Sequence, residues 1–180
     1  GLYVGVVLAN PNSETVGSVL GNGIDLERLV NGQIIEGADL VVEVWKMVDP
    51  PAGGIDVEVF PTQATRVVMA ITSLFKVDQV RGEGPVASSS TASATSLASG
   101  DTGAASTDMA YGLLGKRNTT EAPSSAGGQT RIGSGATSHA TANNNRQGAL
   151  DLEPGAAATL SWTWASARAV VVFPVPGGPT

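Results

Sequence analysis

Residues 40–59 read LVVEVWKMVDPPAGGIDVEV and hold two strand patterns separated by a turn. The first, Leu40–Met47, is rich in valine and alternates, which is typical of a strand that packs one of its faces into a core. The Pro-Pro-Ala-Gly-Gly segment that follows ends this strand, because proline cannot donate to a sheet ladder. Ile55–Val59 then alternates strictly, with Asp56 and Glu58 at the polar positions. We therefore predict a half-buried antiparallel strand whose carboxylates face water.

Similar runs lie on both sides of this segment. Leu2–Leu8 and Val16–Leu20 are predicted to form the first hairpin, and Asn22-Gly23 is a strong turn pattern because both residues tolerate positive φ. Arg66–Phe75 is long, apolar and β-branched, as expected for a central strand of a sandwich. Near the C-terminal end, Ala158–Trp164 and Ala169–Phe173 are predicted as the last strand pair.

The spacing of these runs indicates the fold class. About eight to ten strands recur at intervals of roughly ten residues, and no segment has a convincing amphipathic-helix pattern. We predict an all-β fold, a single antiparallel β-sandwich domain over residues 1–180 that is jelly-roll-like or immunoglobulin-like.

Polar stretches between the strands are predicted as turns and loops. Ile24–Val30 is predicted as a strand, with a single helical turn as the alternative, and Asn31-Gly32 is expected to be the turn after it. Gly133–Gly135 and Asn143–Asn145 are expected to lie in loops at one end of the sandwich. Residues 86–107 consist mainly of Ser, Thr, Ala and Gly and have the composition of a flexible tether. We favour short strands here, with a tight turn at Gly100-Asp101, because small residues and threonine also suit the flatter parts of a sandwich.

Composition and charge exclude several classes of partner. The chain has 180 residues, 23 Gly and no Cys, so disulfides and thiolate chemistry are excluded. Its net charge is −6, and the 10 Lys and Arg residues are scattered, so there is no basic stripe to follow a nucleic-acid backbone. No apolar stretch approaches the roughly 20 residues that span a bilayer. We expect neither a nucleic-acid partner nor a membrane partner.

The segment from Val42 to Gly53 also resembles a known signature. Its acidic residue, aliphatic residue and Trp followed by Pro-Pro-Ala-Gly are similar to a motif of a widespread, mostly uncharacterised β-sandwich module found in bacterial, environmental and viral structural or surface proteins. Further matches occur in the same order along nearly the whole chain: Val19–Leu26, Val67–Ser73, Val77-Asp78-Gln79, Gly127–Thr130 and Leu160–Trp164. The chain differs from the pattern at Lys76 and at Val80–Gly82. The resemblance implies a jelly-roll-like or immunoglobulin-like sandwich and carries over no catalytic residue.

No catalytic constellation is evident, and we predict that the protein is not an enzyme. A Ser-His-Asp triad needs a histidine held by a buried carboxylate, and the single histidine, His139, lies in a polar stretch. One histidine without cysteine also removes the usual transition-metal sites. Calcium remains an alternative, because carboxylates near predicted turns can cage it, but no cofactor is expected. The carboxylates in question are Asp49, Asp78, Asp101 and Asp108.

Aromatic and amide side chains are the candidate contact residues. Exposed tryptophans could form a platform for sugars or a partner protein, although their alternating strand positions favour a place in the core for at least one. Amide-bearing loops could hold sugar hydroxyls. The candidates are Trp45, Trp162, Trp164, Asn143, Asn144 and Asn145.

Assembly and binding are the remaining classes of function. If Gly1 is the true start, the initiator Met was removed before a small residue and no signal peptide was used, as expected for a virion protein made in the host cytoplasm. We predict a capsid decoration or cement protein of a phage or another virus, which binds other virion proteins and is a homo-oligomer. The alternatives are a carbohydrate-binding or adhesive module of a tail fibre or cell surface, and an extracellular filament subunit that donates Leu2–Leu8 or Val170–Phe173. Adhesion predicts an exposed tryptophan, and decoration predicts buried ones.

Overall fold

The fold is all-β, and every strand pair is antiparallel. The structure is a computed structural model that describes residues 1–9, 12–36, 40–74, 87–89, 96–98, 109–117, 123–125, 128–137, 146–154, 160–163 and 169–175. The strands in these ranges are Leu2–Ala9 (β1), Val16–Gly21 (β2), Ile24–Asp25 (β3), Glu27–Glu36 (β4), Leu40–Met47 (β5), Val57–Pro61 (β6), Val67–Ser73 (β7), Ala87–Ser89 (β8), Ser96–Ala98 (β9), Met109–Arg117 (β10), Ser124–Ser125 (β11), Thr130–Ala136 (β12), Arg146–Pro154 (β13), Ser161–Thr163 (β14) and Ala169–Val175 (β15). Among the same residues there is no helix long and apolar enough to cross a membrane.

The strands form two large and two small sheets. The large sheets have the orders β4-β5-β1-β7 and β12-β13-β10-β15-β8, and the small sheets have the orders β3-β2-β6 and β11-β14-β9. The predicted strands at Leu40–Met47 and Leu2–Leu8 are confirmed, and they lie side by side with Val4 opposite Trp45. The alternation predicted for Ile55–Val59 is also confirmed, because Asp56 and Glu58 are exposed while the three apolar residues that alternate with them are half-buried.

Three apolar clusters hold the sheets in four layers. In the middle, the two large sheets meet face to face through residues such as Tyr3, Val7, Tyr111 and Leu113. The opposite face of β1 carries Leu2, Val4, Val6 and Leu8, which pack under the first small sheet. A third cluster lies between the second large sheet and Trp162 of its small sheet. Each large sheet is therefore buried on both faces, which is why the runs in its central strands are almost continuously apolar.

The two halves of the chain repeat one strand order. We call β1–β7 the first half and β8–β15 the second half. In chain order, β1, β4, β5 and β7 of the first large sheet occupy the positions of β10, β12, β13 and β15 in the second. The adjacent pair β2 and β6 likewise corresponds to β11 and β14. The central strands β1 and β10 face each other, and the rings of Tyr3 and Tyr111 lie 5.8 Å apart between centroids.

Two predictions about the first half are wrong. Leu2–Leu8 and Val16–Leu20 do not form a hairpin, because β1 and β2 lie in different sheets, and the turn at Asn22-Gly23 joins β2 to β3 instead. Asn31-Gly32 does not end a strand either. It lies in a bulge of β4, where the register to β5 shifts between Arg28 and Gln33. A Cβ on Gly32 would lie 2.7 Å from the Cβ of Leu29, so this local crowding requires glycine.

Two further predictions misplace strands and loops. Arg66–Phe75 is predicted to be central, but among the described strands β7 lies at the edge of its sheet and pairs with β1 alone. Gly133–Gly135 is predicted as a loop but belongs to β12, which pairs with β13. Short strands do occur within residues 86–107, at β8 and β9, as predicted. The turn predicted at Gly100-Asp101 lies outside the described residues.

Candidate functional site

A buried carboxylate lies under each small sheet, and the first belongs to Glu43. Glu43 points from β5 toward the first small sheet and has no exposed surface. Its Oε2 accepts a hydrogen bond of 3.1 Å from the indole Nε1 of Trp45. Its Oε1 accepts from the Gln33 side chain at 2.8 Å and from the backbone N of Val16 at 3.2 Å. Since Val16 belongs to β2, this carboxylate ties the large sheet to the small one.

The second buried carboxylate is that of Asp151 on β13, which is also fully buried. Its Oδ2 accepts from the indole Nε1 of Trp162 on β14 and, at 3.1 Å, from the side chain of Gln129. Its Oδ1 accepts from the Arg131 guanidinium. The same guanidinium donates to the carbonyl of Pro123 at 2.9 Å and to the Ser125 hydroxyl at 2.8 Å. Asp151 thus connects the second large sheet to its small sheet as Glu43 does in the first half.

The two clusters use the same chemical groups. Each contains a carboxylate, an indole, a glutamine amide and an arginine, since Arg28 lies 3.8 Å from Glu43. In each cluster the carboxylate accepts several hydrogen bonds, which offset the free-energy cost of removing its charge from water. Neither Glu43 nor Asp151 lines the described cleft between the large sheets. Each carboxylate therefore connects a large sheet to its small sheet through hydrogen bonds.

Sequence reasoning did not identify these carboxylates. Glu43 stands between Val41 and Trp45 on the same face of β5, and an acidic residue at an inward position of an apolar strand is the pattern that could have shown it. Asp151 lies between Leu150 and Leu152 with no comparable pattern, because its indole partner comes from a different strand.

The predicted contact residues are distributed unevenly in the structure. Trp45 and Trp162 are both buried, each with its indole nitrogen bonded to a carboxylate, so neither forms an exposed platform. Trp164, Asn143, Asn144 and Asn145 lie outside the described residues, as does His139.

The carboxylates considered for calcium are not brought together in the described part of the chain. Asp49 occupies the turn after β5 with φ of 46°, while Asp78, Asp101 and Asp108 lie outside the described ranges. Within those ranges no three His, Asp or Glu side chains are grouped as metal ligands would be.

The aromatic pair at the centre of the molecule contains a titratable group, the Tyr111 phenol, whose pKa is shifted. Complete burial raises the pKa of the Tyr111 phenol well above its usual range, and the neighbouring Tyr3 raises it further. The phenol therefore stays neutral in the folded protein. It lies between the two large sheets and acts as part of the central core.

A shallow cleft of ≈ 180 Å³ opens at one side of the central layer. Its walls are Val68–Ile71 of β7, Ile132–Gly135 of β12, and Gly148 and Leu150 of β13. The lining is apolar apart from Ser134 and backbone groups, so it has no acid–base pair. Met69, Ile71 and Ile132 border it with between 42% and 44% of their surface exposed. This part of the surface is suited to apolar contact.

Comparison of the chain with models of protein families, with curated proteins and with solved structures gave no match.

Proposed function

We propose that this chain is a non-enzymatic structural protein of a virus particle, a capsid decoration or cement protein of a phage or another virus. The observation that supports the proposal is that the buried polar and aromatic side chains described above bind one another and not a ligand site. The two carboxylates and the indoles of Trp45 and Trp162 are bonded to one another between layers. Such groups stabilise a scaffold and leave its surface for contact with neighbours.

Large apolar side chains on the surface also support a contact role. Several are between 42% and 53% exposed, although an average soluble surface scatters such residues singly. They are Ile24, Ile35, Val48, Phe60, Met69, Ile71 and Ile132. Met69 and Ile71 lie two residues apart on one face of β7, so they form a small patch rather than isolated positions.

The proposed mechanism is stabilisation by mass action. A protein that binds the assembled shell and not the free capsid subunits shifts the equilibrium toward the closed shell by RT ln(1 + [L]/Kd). At a free concentration of about 100 Kd, this amounts to roughly 2.7 kcal/mol per site. Many sites on one shell multiply that contribution.

The test is imaging of purified particles from the source sample, combined with binding to shells stripped of the protein. We expect copies at fixed symmetry on the capsid lattice, and we expect re-addition to raise the temperature at which stripped shells open. Copies confined to a tail or fibre, or no copies on any particle, would overturn the proposal.

Sugar binding is the alternative that the burial of two tryptophans makes less favourable. An adhesive module would need an exposed aromatic. Phe60 is 46% exposed, and of the predicted contact residues Trp164 and the Asn143–Asn145 segment remain as candidates. A sugar panel monitored by tryptophan fluorescence separates the two functions, because Trp45 and Trp162 are shielded from any ligand in solution. A saturable change that disappears in Trp164→Phe would favour adhesion.

Strand donation by the filament alternative meets a similar obstacle. Leu2–Leu8 lies in β1, which is hydrogen-bonded to β5 and β7, and Val170–Phe173 lies in β15, which is bonded to β10 and β8. Each segment would have to leave two neighbours before it could be donated. The fold is therefore better suited to accept a strand than to give up either of these.

A further inference from the structure

The two large sheets differ at one equivalent edge. In the second half, β15 pairs with β10 on one side and with the short strand β8 on the other. In the first half, the equivalent strand β7 pairs with β1, and no described strand lies on its other side. Because the strand order is repeated, the strand that pairs with β15 shows what kind of strand can pair with the equivalent edge of β7.

The register shows which part of β7 corresponds to the covered part of β15. β8 pairs with Val170–Val172, and these residues lie opposite the stretch of β10 from Leu114 to Gly112. With Tyr3 and Tyr111 matched, that stretch corresponds to Val4–Val6 of β1, and with Glu43 and Asp151 matched it corresponds to Val6–Leu8. Val4, Val6 and Leu8 lie opposite Ile71, Met69 and Val67. The positions equivalent to those that β8 covers therefore lie within residues 67–71.

Met69 and Ile71 are also exposed apolar side chains. They are 42% and 44% exposed, although both stand on the face of β7 that elsewhere packs under the small sheet. In the second half, β9 extends the small sheet by pairing with β14 and lies next to β15. In the first half, β6 is the equivalent of β14, and no described strand pairs with its outer edge. A strand there would cover Met69 and Ile71.

β7 lacks the features that protect the other described edges. Natural sheets block their edges with very short strands, charges, proline or bulges. β4 and β12 have bulges, β6 carries Glu58 and Pro61, and β3, β8, β9 and β11 have two or three residues each. β7 spans seven residues, VVMAITS, with neither a charge nor a proline and with an uninterrupted register to β1. Such an edge readily accepts another strand.

We infer that β7 is a docking edge for an extended arm of a neighbouring protein in the particle, which adds as an antiparallel strand within residues 67–71. The arm has the chemistry of β8 and β9: uncharged, extended and rich in Ala and Ser. Small side chains suit this role because they let the backbone reach the edge, while the hydrogen bonds come from the main chain. That the arm comes from a neighbouring protein of the particle rests on the proposed function. The inference adds to that function the surface through which the two proteins contact each other.

The experiment uses the full chain and a synthetic peptide with the sequence of residues 84–100, GPVASSSTASATSLASG, as the probe. The peptide carries a fluorophore, and its anisotropy is measured against protein concentration. We expect saturable binding that weakens at least tenfold in Met69→Lys and in Ile71→Lys. The control Ile24→Lys alters an equally exposed isoleucine on β3 and should bind as the unchanged protein does. A Ser88→Pro peptide should not bind, because proline removes a main-chain donor.

A photo-cross-linker in the peptide identifies the site, and cross-links within residues 67–73 are expected. Absence of saturable binding would overturn the inference, as would cross-links only to β15, where the peptide would have exchanged with β8. Sedimentation of the protein alone tests a second copy as the occupant. If the protein forms dimers and Met69→Lys abolishes them, a second copy occupies the edge of β7, and the inference of an arm from a different protein is overturned. None of these results depends on finding the protein on particles, so each is distinguishable from a failure of the proposed function.

Discussion

The first and second halves of the molecule have the same strand order but differ in how firmly their layers are connected and in how their edges are covered. In the second half, Arg131 contacts Asp151 directly and also donates a hydrogen bond to the carbonyl of Pro123, next to β11. The strands β8 and β9 extend the large sheet and the small sheet of this half. In the first half, Arg28 lies 3.8 Å from Glu43 and is 43% exposed, and the edges of β6 and β7 have no described neighbour. The comparison teaches that the strand order can be repeated while each half has its own connector and the described strands cover the equivalent edges differently.

Removing the buried carboxylates should give the largest effects. Asp151→Ala leaves the Arg131 guanidinium, which is 25% exposed, without its main acceptor, and we expect a loss of about 3–5 kcal/mol. Glu43→Ala should cost less, about 1–3 kcal/mol, because Arg28 retains its contact with water. Urea unfolding followed by circular dichroism measures both. Glu58→Ala, on the exposed face of β6, is the control and should stay within about 0.5 kcal/mol. Equal losses at the two buried sites would contradict the difference between the halves.

Glycines at the contact between the large sheets give the next largest effect. A Cβ on Gly115 would lie 2.5 Å from Cγ2 of Val42, whereas a Cβ on Gly5 would lie 2.8 Å from Cδ2 of Leu113. Valine is stiff at χ1 and cannot move aside, while the end of a leucine can. We expect Gly115→Ala to cost about 2–3 kcal/mol and Gly5→Ala about 1 kcal/mol in unfolding free energy.

Gly54→Ala is the matched control for the glycine pair, because nothing lies within 4 Å of the added Cβ. Its stability should stay within about 0.5 kcal/mol of the unchanged protein. A larger loss at Gly5 than at Gly115 would show that the second sheet, which carries Leu113, and not the first, which carries Val42, is the rigid side of the contact.

The two tyrosines should differ in alkaline solution. Burial raises the pKa of Tyr111, so the folded state keeps this phenol protonated while the unfolded chain releases its proton near pH 10. The stabilisation is therefore complete below about pH 10 and is lost as the pH rises above it, by up to about 1.4 kcal/mol per pH unit. Tyr111→Phe should flatten this decline, and Tyr3→Phe should retain it. Unfolding free energies between pH 8 and pH 11 test the difference, and identical slopes in both variants would contradict it.

The smallest effect is expected at Arg28. Its guanidinium is 43% exposed and lies 3.8 Å from the carboxylate, so Arg28→Ala should reduce stability by less than about 1 kcal/mol. Arg131→Ala removes the donors to Asp151, Pro123 and Ser125 and should cost several times more. Thermal unfolding of the two variants side by side compares them. Similar costs would mean that the arginine in the first half is as important as the one in the second.

Local patterns predicted the strands well where one face is buried and the other is not. Ile55–Val59 alternates in sequence and in burial, whereas β5, which carries Trp45, is buried on both faces. Patterns failed where a residue's neighbours come from distant strands. The apolar run of β7 has the composition of a central strand, yet the strand is an edge, because its apolar residues pack against β1 and the facing sheet while nothing described pairs beyond it.

Turn residues were ambiguous for a similar reason. Asn22-Gly23 forms a tight turn with φ of 49° and 78°, as the dipeptide predicts. Asn31-Gly32 has the same composition but forms a bulge, because β5 continues the pairing on both sides of it. The dipeptide indicates a local change of direction, and the neighbouring strand decides whether the chain reverses there.

The amino-acid sequence by itself determined that this protein is all-β, where its main strands lie and which side chains avoid water, because an alternation of period two is a property of consecutive residues. The tertiary structure alone decided that the strands form two repeats stacked in four layers, that Glu43 and Asp151 are buried connectors, and that no described strand pairs with the outer edge of β7. These features depend on pairing between segments far apart in the chain, such as Leu8 with Val67 and Asp151 with Trp162. Period-two alternation sets which face of a strand is buried, but it does not set which strand lies beside it.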